Sequence, residues 1–343
     1  MHRPLTRREA ARRLALAAAA PAWSLLPDAA RAASTTLLNV SYDVTREFYK
    51  DYDADFVARW KARTGDVVTV NQSHGGSSKQ ARSVADGLEA DVVTMNQASD
   101  IDFLAERGLV AADWARRLPD GASPTTSVSV ILVRAGNPRR IRDWDDLARP
   151  GVSVVVPNPK TSGNGRYTWL AAWGSVLRTG GTHAQARDLA RRLFANVPVL
   201  DGGGRAATTT FAQRGIGDAL VTFESEVELI RGEFGPGFEA VYPRYTVLAE
   251  NPVAVVDRVV DRRGTRALAE AYLKGLWSPE GQAIAVRHGL RPRLPDLLAA
   301  HATAFPAVST FTVDEFFGGW KQAQKAHFDD GGLYDQAVAD LKR

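Results

Sequence analysis

At 343 residues with 45% hydrophobic side chains, the chain is long enough for one to three domains and fits two lobes best. Its formal charge of +4 belongs to the N-terminus: residues 1–32 hold six Arg against Glu9 and Asp28, so 43 Lys+Arg and 39 Asp+Glu become 37 and 37 beyond them. That balance gives no global-charge basis for a nucleic-acid or anionic-lipid partner, and the absence of Cys excludes a disulfide framework, a thiolate metal site and a lipid-modified cysteine.

Residues 1–32 read as an export signal. Arg3, Arg7, Arg8, Arg12 and Arg13 precede an apolar run over residues 14–21, and small residues surround Ala30-Arg31-Ala32, which predicts cleavage after Ala32. Thr6-Arg7-Arg8 also looks like a twin-arginine start, although Glu9-Ala10-Ala11 lacks the apolar residue that follows one. The apolar run is shorter than the ~20 residues of a bilayer span. The reading is therefore export without an anchor, with free diffusion in a periplasm.

Short apolar, β-branched runs then recur at residues 37–40, 67–70, 91–95, 128–133, 152–156 and 219–223, alternating with helical patterns. This predicts an α/β fold of two lobes, each a mostly parallel sheet flanked by helices. Residues 45–64 place Phe48, Tyr49, Tyr52, Phe56 and Trp60 at helical spacing, and Gly65 ends that helix. Further helices are expected over 78–88, started by Ser77, and over 167–177, started in Thr161-Ser162-Gly163-Asn164. Residues 127–134 and 249–257 read as two isolated strands that cross between lobes, assigning 35–134 plus 252–343 to lobe one and 135–251 to lobe two. Helical patterns over 265–277, 279–286 and 316–328 complete lobe one in this reading.

Four Gly/Ser/Thr-rich loops follow strands and precede helices: 41–43, 72–79, 158–165 and 201–208. Glycine lets backbone approach a ligand, and the first turn of a helix offers unpaired N–H groups beside the positive end of its dipole. Repeated four times, this arrangement makes an anion cradle. No loop has nucleotide-binding spacing: Gly75-Gly76-Ser77-Ser78-Lys79 lacks the G-x-x-x-x-G-K-[ST] pattern, and no G-x-G-x-x-G follows a strand.

The strings Gln72-Ser-His-Gly-Gly-Ser-Ser-Lys-Gln80, Gly87-Leu-Glu-Ala-Asp-Val-Val-Thr94, Pro157-Asn-Pro-Lys-Thr-Ser-Gly-Asn164 and Leu170-Ala-Ala-Trp173 closely resemble the sulfate- and thiosulfate-binding proteins of bacterial ABC importers. The resemblance runs from about residue 38 to about residue 335 and is nearest the thiosulfate branch. It implies a type II periplasmic binding protein that closes its two lobes on a dehydrated dianion held by neutral donors. Carried over by motif, Asp43 (backbone N–H, its carboxylate directed elsewhere) and Ser77 would donate from lobe one, and Ser162, Gly163, Asn164 and Gly204 from lobe two. Where sulfate binders of the family supply a tryptophan indole N–H, this chain has Phe223, followed by Glu224-Ser225-Glu226. A donor-free aromatic face suits the soft sulfur of thiosulfate better than an oxygen, which ranks thiosulfate first.

Arg166 and Arg205 follow the two lobe-two loops, and pairing with acids such as Glu47 and Asp100 across the cleft is the expectation rather than a salt bridge to ligand. Lys79 and Lys160 read as solvated or stacked along their helices. His74 beside Gly75-Gly76 resembles the oxyanion loop of an esterase, but no G-x-S-x-G elbow occurs. The six histidines show no paired metal spacing. The resulting expectation is a monomeric, cofactor-free and non-catalytic receptor that delivers thiosulfate or sulfate to an inner-membrane ABC permease and its ATPase. A molybdate or phosphate binder is the nearer alternative, a periplasmic hydrolase the farther one.

Overall fold

The alternation of β-branched runs and helices resolves into two separate sheets flanked by helices, in a computed structural model that describes residues 35–341. The export signal expected over residues 1–32 lies outside the described residues.

The first sheet has the order β10-β3-β1-β2, built from β1 (Thr35–Tyr42), β2 (Val68–Gly75), β3 (Val92–Thr94) and β10 (Val253–Val255). Strand β1 runs parallel to β2 from Thr35↔Val68 to Tyr42↔Gly75 and parallel to β3 at Ser41↔Thr94, while β10 pairs antiparallel to β3. Helix α1 (Arg46–Thr64) lays Phe48, Tyr52 and Phe56 against Leu37, Val253 and Tyr272 in one core cluster. It ends where the sequence predicts: Gly65 has φ 81° and returns its N–H to Lys61, a left-handed cap that a Cβ would strain.

The second sheet follows the path β12-β9-β4-β7-β5-β6, with β8 and β11 also on β4. Its strands are β4 (Thr125–Arg134), β5 (Val154–Pro157), β6 (Leu200–Asp201), β7 (Ala219–Phe223), β8 (Phe238–Val241), β9 (Thr246–Glu250), β11 (Arg291–Pro292) and β12 (Thr310–Phe311). Strands β5 and β6 pair parallel, as do β5 and β7, whereas β4 runs antiparallel to β7, β8, β9 and β11. The sheet is therefore mixed around β4. A strand that enters from another sheet has no βαβ crossover tying its direction to its neighbours. Every β4 residue but Arg134 is buried, and its apolar part packs on both faces, Ile131 and Val133 in one core cluster and Val128, Val130 and Leu132 in another.

Pairing moves the sequence-based partition. Residues 127–134, read as a crossing at the end of lobe one, belong with Thr125 and Thr126 to β4, the central strand of the second sheet. The run read as a strand over 249–257 is two strands in two sheets, broken at Asn251-Pro252. Buried Asn251 ties the crossings together: Tyr42 Oη donates to its Oδ1 at 2.9 Å, and its Nδ2 donates to Thr125 Oγ1 at 3.0 Å.

The C-terminal helices also divide. Arg266–Gly275 and Pro279–Arg287 complete the first-sheet core with Tyr272, Leu273 and Ile284. Phe317, Trp320, Phe328 and Tyr334 instead join Trp169, Trp173 and Phe194 in the core of the second sheet. The helix predicted over 316–328 is split, because Gly318 (φ 68°) and Gly319 (φ 92°) break the chain between Val313–Phe317 and Trp320–Ala323.

Candidate functional site

In parallel sheets, ligands collect beyond the carboxyl ends of the strands, where the backbone leaves the ladder with free N–H groups. The register places Asp43 after β1, Gly76-Ser77 after β2 and Asn96 after β3 at one edge of the first sheet. In the second sheet, residues after β5 (Asn158 onward) and β6 (Gly202 onward) share an edge, and Phe223 ends the parallel β7 beside them. The two edges meet: a Cβ on Gly76 would lie 2.5 Å from Thr161 O and 2.7 Å from Gly202 O. Only glycine permits that approach.

Helix α2 (Ser77–Ala85) starts one residue earlier than a Ser77 cap would give, with Gly76 as the N-cap and Ser77 in the first turn. Ser77 is buried, its hydroxyl donating to Asp100 Oδ2 of helix α3 (Ala98–Ala105) at 2.6 Å and accepting from the Asn96 N–H at 3.3 Å. The Ser77 side chain is thus engaged within the protein, and the donor it can turn to a ligand is its backbone N–H in the first turn.

Helix α4 (Gly163–Arg178) is capped by buried Ser162, whose hydroxyl does not bond back to its own helix. Gly163 and Asn164 form its first turn, and both amide atoms of the Asn164 side chain are buried without a hydrogen-bond partner. Helix α5 (Gly204–Thr208) begins at Gly204 after the extended Gly203. The Asn164 Nδ2 lies 3.5 Å from where a Gly204 Cβ would be, so the two second-sheet loops converge. The loop starts that hold Ser77, Ser162, Gly163, Asn164 and Gly204 converge at this junction.

Asp43 departs from expectation in one respect. Its carboxylate lies on the start of α5, accepting from the Arg205 N–H at 3.2 Å and interacting with the Gly204 amide. Burial raises its pKa, and those amides together with the Arg205 guanidinium oppose the rise. The Gly204 amide is thereby shared with a carboxylate of the first sheet.

The arginines also separate. Arg166 is buried with its Nη1 3.6 Å from Asp100 Oδ1, its Nε donating to Pro159 O at 2.9 Å and its guanidinium 5.5 Å from the Phe328 ring centre. Burial lowers its pKa and Asp100 opposes this, so the pair presents little net charge to the junction. Arg205 does not pair with Glu47; its Nη1 lies 3.4 Å from Glu233 Oε2, while Glu47 lines the same cavity of about 550 Å3 beside Arg205 and His288. A partner on α6 (Glu224–Phe234), packed close to α5, forms the pair that sequence spacing cannot reveal.

Phe223 is buried in the second-sheet core with its ring edge-on to Tyr167 at 5.6 Å. Lys79 is exposed as expected, but Lys160 is a clamp, its Nζ donating to Phe328 O and to Asp335 Oδ2, each at 2.8 Å. The His74 ring sits against Tyr42 O at 3.2 Å and Gln72 Oε1 at 2.5 Å, so it is not poised on Ser77. Sequence reasoning passed over Asn96, which lies in no glycine-rich loop. The signal available was a polar pair, Asn96-Gln97, directly after an apolar strand at the edge shared with Asp43 and Gly76.

A family model described as bacterial extracellular solute-binding protein matches residues 45–291. The chain belongs to this family. Within it, the chain is 60% identical over 306 residues to a thiosulfate-binding protein of Pseudomonas aeruginosa, covering 89% of this chain and 92% of that one. It is 53% identical over 302 residues to a sulfate-binding protein of Escherichia coli, covering 88% and 92%. The solved sulfate-binding protein SubI of Mycobacterium tuberculosis superimposes with a TM-score of 0.79 at 33% identity, over 86% of this chain and all of that one.

Proposed function

We propose that this protein captures thiosulfate or sulfate in the junction between its two sheets and hands it to an inner-membrane ABC permease and ATPase for sulfur uptake. The observation that carries the reading is the meeting of the helix starts at Ser77 and Gly163-Asn164, neither closed by a side-chain cap, with the Gly204 start that Asp43 partly occupies, around a buried Asn164 amide with no partner among the described residues. Leaving a buried donor unpaired costs ~1–3 kcal/mol, and a bound oxyanion, which only accepts, would recover that for the Asn164 Nδ2 and the loop N–H groups. Asp100 already neutralises Arg166, so the ligand meets N–H and O–H donors in place of a bare cation. The names borne by the P. aeruginosa and E. coli relatives support the same ligand class.

In this reading the first sheet with its helices is one lobe, the second sheet with its helices the other, and Glu250-Asn251-Pro252 belongs to the hinge. Asp43, Ser77, Ser162, Gly163, Asn164 and Gly204 hold the anion. Asp100, Arg166 and Arg205 order the loops, with Glu47 beside Arg205. The protein acts as a periplasmic monomer without covalent chemistry. Phe223, which has no N–H to offer, favours thiosulfate over sulfate.

Calorimetric titration of the desalted protein with thiosulfate, sulfate and phosphate tests this. Saturable binding of thiosulfate, tighter than that of sulfate, with no heat from phosphate is expected. Phosphate near neutral pH carries a proton that needs an acceptor, and the carboxylate at this junction, Asp43, is already engaged by the Arg205 and Gly204 amides. Binding of phosphate or molybdate but neither sulfur anion would replace the assignment.

A further inference from the structure

Lys160 has no part in the reading above, yet it holds the loop on which that reading depends. Between β5 and α4 the chain turns on Asn158, whose carbonyl accepts the N–H groups of Thr161 at 3.0 Å and Ser162 at 2.9 Å, and whose Oδ1 accepts that of Lys160 at 2.9 Å. With those three used inside the turn, the first N–H groups left to face the junction are those of Gly163 and Asn164, where a starting helix has no carbonyl to offer them. Two basic side chains bracket this stretch, and both end on one segment near the C-terminus. Before it, the half-buried Lys160 directs Nζ to Phe328 O at 2.8 Å, Asp329 O at 3.3 Å and Asp335 Oδ2 at 2.8 Å. After it, Arg166 sends Nε back to Pro159 O at 2.9 Å and lays its guanidinium against the Phe328 ring. Asp335 is itself fixed: in the first turn of the helix Leu333–Leu341, its Oδ2 also accepts the Gly331 N–H at 2.9 Å.

We propose that Lys160 is a positioning residue of the anion site: its hydrogen bonds to the Phe328–Asp335 segment hold the 158–162 turn in the shape that turns the Ser162 hydroxyl and the Gly163 and Asn164 N–H groups to the ligand. This inference rests on the oxyanion reading. An ammonium donates three hydrogen bonds, and Phe328 O, Asp329 O and Asp335 Oδ2 accept all three, so Lys160 serves the shape of the loop and not its charge. A loop already held in its bound form loses less freedom when the ligand arrives, so loosening the clamp weakens binding without removing any ligand contact. That loss does not depend on whether the anion presents an oxygen or a sulfur, and it falls on sulfate and thiosulfate alike.

Calorimetric titration of the wild-type protein, Lys160→Met, Asp335→Ala and the double variant with sodium sulfate and sodium thiosulfate, each alone, tests the assignment. Lys160→Met should lose about tenfold in affinity for both anions and Asp335→Ala about threefold, with the double variant no weaker than Lys160→Met because both changes open one clamp. The sign for Asp335→Ala separates positioning from charge. Removing an acid raises anion affinity if Lys160 acts as a through-space cation, and lowers it if Lys160 holds the loop. Wild-type affinity in Lys160→Met, a gain in Asp335→Ala, or losses that simply add in the double variant would each overturn the proposal. Should Lys160→Met not fold, judged by its thermal unfolding, Asp335→Ala is read alone by its sign. A wild-type protein that binds neither anion would instead overturn the oxyanion reading, which is a separate outcome because it needs no variant.

Discussion

Asp100, which receives the Ser77 hydroxyl, and Arg166, in the first turns of the helix that begins at Gly163, lie 3.6 Å apart with side chains 5% and 7% exposed. One residue flanks the first sheet and the other the second, so the pair fastens the Ser77 loop to the helix that begins at Gly163. Removing one partner of a buried pair leaves the other charge uncompensated, at ~3–5 kcal/mol. Asp100→Ala should therefore lower the thermal midpoint and also weaken anion binding, because the Ser77 hydroxyl loses its acceptor. Unfolding by circular dichroism and calorimetry on the same variant check both effects; an unchanged midpoint would show that the pair does not hold the loops.

Ser162 caps its helix without bonding back to it, which leaves the hydroxyl for a ligand. Ser162→Ala should weaken thiosulfate or sulfate binding by more than ~1 kcal/mol, the worth of a typical hydrogen bond, with little change in unfolding midpoint. Calorimetric affinity unchanged within error would take Ser162 out of the site.

Gly76 meets Thr161 O and Gly202 O at distances that exclude a Cβ. Both acceptors belong to the second-sheet loops, so Gly76→Ala should spare the fold of each sheet and obstruct their approach. Anion affinity is expected to drop about tenfold or more while the circular dichroism spectrum stays that of the wild type. Retained affinity would mean the loops need not approach this closely to bind.

Two buried carboxyls give stability a definite pH dependence. Burial pushes Glu226 up to about 8, Arg205 opposing, and Asp53 up to about 7, with hydrogen bonds from Gln72 and Tyr272 opposing. Between the ordinary carboxylate range near ~4 and those values, the folded chain holds more protons than the unfolded one. The stability these groups allow is full below ~4 and is lost as pH rises through about 7 to 8. The thermal midpoint should fall from about pH 5 to about pH 9, and Glu226→Gln should flatten the upper part of that fall. A Glu226→Gln profile parallel to the wild type would assign the titration to another group. Ionised Glu226, interacting with Asp43 and Arg205, would also set a negative charge near the anion loops.

Local rules made much of the molecule legible. Strands at 91–95, 152–156 and 219–223 were readable because burial on both faces enforces short β-branched runs, that at 67–70 because Val68 and Val70 pack on one core face, and that at 37–40 because Leu37 and Val40 are buried in a cluster on either face. Helix α1 and its Gly65 stop were readable because aromatic spacing and a left-handed cap are properties of contiguous residues. The anion loops were readable for the same reason: a glycine-rich turn opening a helix exposes its N–H groups wherever the helix is later placed. The loop positions of Ser77, Ser162, Gly163, Asn164 and Gly204 at helix starts were legible in this way.

What only the tertiary structure decided is which distant segments meet. The mixed second sheet, the packing of Phe317, Trp320 and Tyr334 on Trp169 and Phe194, and the choice of Glu233 over Glu47 for Arg205 follow from long-range packing. So do the Asp43 carboxylate on the Arg205 amide and the Asn96 amide against Gly163. A sequence records what each residue can donate, cap or bury, because those are properties of a few consecutive bonds. The partner it finds across a hundred residues depends on how two sheets are brought edge to edge, and no local pattern encodes that distance.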